Sequence, residues 1–151
     1  MKKYTLFVVV LAVILITTAC GGADPYQREI RKVDACFEEA YNQLYEFFPE
    51  GEVTGPLPES DQFAPMLEQY SACFVMIENL EPSEKYGDAH AKLLVIEDTI
   101  FSGAAGLVYW LSRNNNSAGM LEKIQTSVNL LEEGQDDFQL FMQRLKEGSL
   151  Y

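Results

Sequence analysis

The chain has 151 residues, 48% of them hydrophobic, with 23 acidic against 11 basic side chains and a formal charge of −12 at pH 7. That length supports one domain with a real hydrophobic core. So acidic a balance argues against nucleic acid and other polyanions as partners.

Lys2 and Lys3 precede eleven consecutive apolar residues, Leu6 to Ile16, and the small residues Thr17, Thr18 and Ala19 follow. This is the anatomy of an export signal. A membrane-spanning helix needs about 20 apolar residues, whereas this run is shorter and ends in small rather than basic side chains. Cys20, with Ala19 before it and Gly21 and Gly22 after it, resembles the lipid-bearing cysteine of bacterial lipoprotein precursors, a likeness confined to residues 1–22. The resemblance implies cleavage between Ala19 and Cys20 and a lipid on the Cys20 thiol that anchors the chain to an envelope membrane. It departs from the family pattern at one place: Thr17 stands where an aliphatic residue is usual, with Ile16 one position earlier. An ordinary export signal, with no lipid, would instead give a secreted protein. The expected organisation is a signal over residues 1–19, a lipidated tether over 20–24 and a helical domain over 25–151.

Beyond the tether, apolar residues recur at alternating steps of three and four, which predicts four amphipathic helices. The first spans about Asp24 to Phe48, with Ile30, Val33, Phe37, Ala40, Leu44 and Phe47 on its stripe and Asp24-Pro25 as a start signal. Residues 49–60, with three prolines and two glycines, read as a loop. The second helix spans about Asp61 to Leu80 and the third about Ser83 to Ser112, with Ser83 as expected N-cap and the widest apolar face of the four. The fourth spans about Ser117 to Glu147, with a mild kink or polar layer expected at Gly134-Gln135. Asn115-Asn116-Ser117 reads as a turn and helix cap rather than a glycosylated site. Four such helices predict an all-α, antiparallel up-down-up-down bundle.

Cys36 lies twelve residues before Phe48 and Cys73 twelve after Asp61, so in an antiparallel hairpin both stand about 18 Å from the same end. Equal height and an oxidising destination together predict a Cys36–Cys73 disulfide. Ala35 and Ala72, each preceding a cysteine, favour close approach of the two helices.

His90 is the only histidine, and the residue three before it is Gly87, so the Glu-x-x-His pairs of di-iron bundles are excluded. Asp88 and Glu97 are the remaining companions for a weak metal site at His90. The sequence has no haem-attachment, calcium-loop, phosphate-loop or hydrolase-elbow motif, so no cofactor and no catalysis are expected. Ser102 to Gly106 form a small-residue patch in the third helix, where Gly103 and Gly106 would admit a bulky neighbour, either an aromatic of the first helix or a ligand in a groove.

In up-down order, the end nearest Cys20 holds Arg28, Arg31, Lys32, Lys85, Lys92, Arg144 and Lys146, leaving the opposite end the more acidic. The expectation is an envelope lipoprotein, held at the membrane through Cys20, whose noncatalytic bundle binds an envelope protein or small ligand at its outer end. The alternative is an acidic cation-binding bundle.

Overall fold

A computed structural model describes residues 24–54, 57, 59–113 and 118–150. Within them the chain is all-α, a bundle of four helices: α1 (Pro25–Phe47), α2 (Ala64–Glu78), α3 (Gly87–Leu111) and α4 (Ala118–Glu147). Among the described residues no strand occurs. The expected cleavage at Ala19-Cys20 and the turn at Asn115-Asn116-Ser117 lie outside the described residues.

Local chemistry sets the helix ends. The Tyr26 amide donates to Asp24 Oδ1 at 3.0 Å, and proline follows in the first turn, where its missing N–H costs nothing. The second and third helices start later than their stripes predict. Single 3-10 turns, Ser60–Phe63 and Glu84–Tyr86, precede them. Ser83 makes no side-chain capping bond there. Instead Tyr86 is fully buried and stacks on Tyr26 with ring centroids 4.7 Å apart, fixing the tight turn by packing. The chain after α1 also turns tightly, with Glu50 and Gly51 at φ 59° and 73°. Gln125 of α4 holds that turn with two bonds, donating to the Gly51 carbonyl at 2.7 Å and accepting from the Val53 amide at 2.8 Å.

The core is aromatic around Phe37, which is fully buried. Its ring meets Phe138 of α4 edge-on at 5.2 Å and Phe74 of α2 at 6.1 Å. Cys36 and Cys73 are joined by a disulfide, with Cα atoms 5.6 Å apart, tying α1 to α2.

At Gly134-Gln135, where a mild kink or polar layer is expected, α4 runs unbroken. Gly134 instead makes room for Ile100 of α3, whose side chain occupies the place a Cβ would take. A polar layer does occur at this level, where Tyr41 Oη, Tyr70 Oη and Gln135 Oε1 are all buried. Burial drives the Tyr41 and Tyr70 hydroxyls far above the ordinary tyrosine range.

Candidate interaction groove between α2 and α3

The small-residue patch proves two-sided. Gly103 and Gly106 face α4, where a Cβ on Gly103 would stand 2.8 Å from Leu131 Cγ and 2.9 Å from the Ser127 carbonyl oxygen. A Cβ on Gly106 would collide with the Ser127 side chain. The neighbour admitted is thus α4 itself, and not an aromatic of the first helix. Glycine is chosen here because only its bare Cα lets two backbones pack so closely.

Ala104 and Ala105, one step round the same helix, face the opposite way. They line an open groove of about 470 Å³ with Leu67, Tyr70 and Phe74 of α2 and Phe101, Val108 and Tyr109 of α3. Phe101, Val108 and Tyr109 remain 55%, 46% and 49% exposed. Scattered exposed apolar residues are ordinary, but a contiguous set lining a concave surface is the mark of an interaction site. One edge contact narrows it, Phe74 against Phe101 at 5.6 Å. Trp110, the chain's single tryptophan, packs against the core and meets the groove only through Tyr109, whose ring lies 4.7 Å from its own. Arg113 lies over the Tyr109 ring at 4.3 Å, closing the Ser112 end.

The other end is acidic. Leu67, Ser71 and Phe74 recur at helical spacing on α2, and Glu78 continues their line. On α3 the line Ser112, Val108, Ala105 and Phe101 continues to Glu97, with Asp98 beside it. Partial burial, with Glu78 and Asp98 nearby, holds the Glu97 carboxyl above the usual range. Among the described residues the ion pairs engage Glu29 with Arg28 and Lys32, and none reaches these three carboxylates.

The sequence-derived metal candidates do not come together. His90 Nδ1 lies 3.3 Å from Tyr26 Oη, Glu97 sits with Glu78 and Asp98, and Asp88 is exposed in the first turn of α3. Among the described residues no group of three His, Cys, Asp or Glu side chains is placed to hold a metal ion. Partial burial lowers the His90 pKa. None of the described helices is long and apolar enough to cross a membrane.

The groove itself was only half legible in the sequence. The width of the α3 apolar face is visible there, whereas its exposure depends on how far α2 stands off. Comparison of the chain with protein-family models, with curated proteins and with solved structures finds no match.

Proposed function

We propose that the chain is an exported, lipid-anchored, noncatalytic binding module that offers the α2/α3 groove to a partner in the cell envelope. The observation that carries the binding role is the exposed Phe101, Val108 and Tyr109 lining a concave apolar surface. The anchor rests on Lys2-Lys3, the apolar run Leu6–Ile16 and Cys20.

In this reading the helices alternate up-down-up-down. Support comes from contacts in which residue numbers rise on one helix as they fall on its neighbour: Gly106 with Ser127, Gly103 with Leu131, Gly134 with Ile100. Tyr45 with Glu132 and Asp34 with Gln139 follow the same rule between α1 and α4. The groove then lies in the half remote from Pro25, turned away from the membrane by a tether of at most about 14 Å.

Two measurements test the proposal separately. Mass spectrometry of the envelope form should find a lipid on Cys20, and Cys20→Ala should release the protein from membranes; an unmodified Cys20 on membrane-bound protein defeats the anchor. A photoreactive side chain at Phe101 should crosslink to envelope partners while one at Leu140, an apolar residue of α4 that is 43% exposed, does not. Equal crosslinking from both positions defeats the groove as contact surface.

A further inference from the structure

We infer that the occupant of the α2/α3 groove is an amphipathic helix of a partner protein, its apolar stripe on Phe74, Phe101 and Val108 and its basic residues at Glu78, Glu97 and Asp98. This rests on the reading of the groove as a contact surface and is independent of the lipid anchor.

Length and backbone chemistry select a helix. From Glu97 to Ser112 the α3 wall runs about 22 Å, the length of roughly four helical turns. A helix satisfies its own backbone, so it can lie against an apolar wall without stranding N–H and C=O groups. An extended peptide needs a sheet edge to do the same, and none exists among the described residues.

Charge selects the partner's chemistry. Three carboxylates fall at one end of the groove with no cation in ion-pair range among the described residues, and the repulsion that Glu97 feels from the other two is relieved by incoming Lys or Arg. At the other end Arg113 is already held by the Tyr109 hydroxyl and ring, so the positive charge must come from outside. A second copy of this chain is the wrong occupant, because each carries a formal charge of −12 and brings acid to acid. An anionic lipid surface fails for the same reason.

The test uses the chain as exported, reconstituted in phosphatidylcholine vesicles, with the fluorescence anisotropy of a labelled peptide as readout. The probe is a peptide of about 18 residues, with leucines at helical spacing, three lysines in one terminal turn and neutral residues elsewhere. Its anisotropy should rise at protein concentrations about tenfold lower than for an isomer with scattered leucines or a version carrying glutamates for lysines. Phe101→Asp should weaken it about tenfold, with Val108→Gln as a second variant and circular dichroism as the folding check. Glu78→Gln combined with Glu97→Gln and Asp98→Asn should erase the preference for lysine over glutamate. Equal response to the ordered and scattered peptides, unchanged binding by both groove variants, or no response to any peptide overturns the inference. So does concentration-dependent dimerisation abolished by Phe101→Asp, which assigns the groove to a second copy. In those cases selective crosslinking from Phe101 still stands or falls by itself.

Discussion

Two seams of the bundle share one helix and differ in almost every respect. Against α4, helix α3 presents Gly103 and inserts Ile100 into the hollow at Gly134, so the helices approach until a single Cβ would collide. Against α2, the same helix presents Phe101 and Val108 and leaves both about half exposed. The small residues of 102–106 therefore serve opposite ends: where a neighbour fills the space they remove, they close a seam, and where none does, they leave a hollow. Smallness alone does not distinguish packing from pocket. What decides is whether an adjoining helix is held close.

The disulfide adds a covalent tie between α2 and α1 to their aromatic packing, so removing it tests the open side most severely. Cys36→Ser with Cys73→Ser should cost about 4 kcal/mol by the loop-entropy account, read as the shift in denaturant midpoint relative to the oxidised protein. Alkali probes the layer next to that bond. The Tyr41 and Tyr70 pKa values are raised by burial, and Tyr26 is pushed up to about 12, so the folded state keeps protons that the unfolded chain gives up near pH 10. Their contribution is intact below about pH 10 and declines as pH rises toward each folded value, by up to about 1.4 kcal/mol per pH unit for each group. Tyrosinate absorbance from these rings should appear together with loss of helical circular dichroism; ionisation of all tyrosines at pH 10 in a fully helical protein would contradict their burial.

On the closed seam, Gly103→Ala should destabilise by about 1–3 kcal/mol, because the Ser127 carbonyl is backbone and cannot step aside. Ala105→Leu, facing the groove, should change thermal stability by less than about 0.5 kcal/mol. Comparable losses at the two positions would erase the contrast between seams.

Much of this was readable from residue spacing. The stripe of α1 foretells Ile30, Val33, Phe37 and Leu44 in the core, and equal heights bring Cys36 to Cys73. Periodicity says which face of a helix is apolar but not which neighbour meets it, so an aromatic of α1 and a ligand both stood open as partners of Gly103, whereas α4 is the one that meets it. The 3-10 turns before α2 and α3 were missed for a related reason: Tyr86 fixes its turn by stacking on a residue 60 positions away. Asp88 and His90, two apart on α3, project nearly opposite ways, whereas Glu97 sits with Asp98 and with Glu78 of another helix.

The Cys36–Cys73 bond also brackets everything between its ends, including the turn at Glu50-Gly51. A protease that cuts once between residues 37 and 72 opens the main chain but frees no fragment. The two pieces travel as one band until a reductant is added. Gln125 meanwhile keeps the near side of such a nick stitched to α4, so cleavage there can leave the bundle standing, still one molecule in mass and shape.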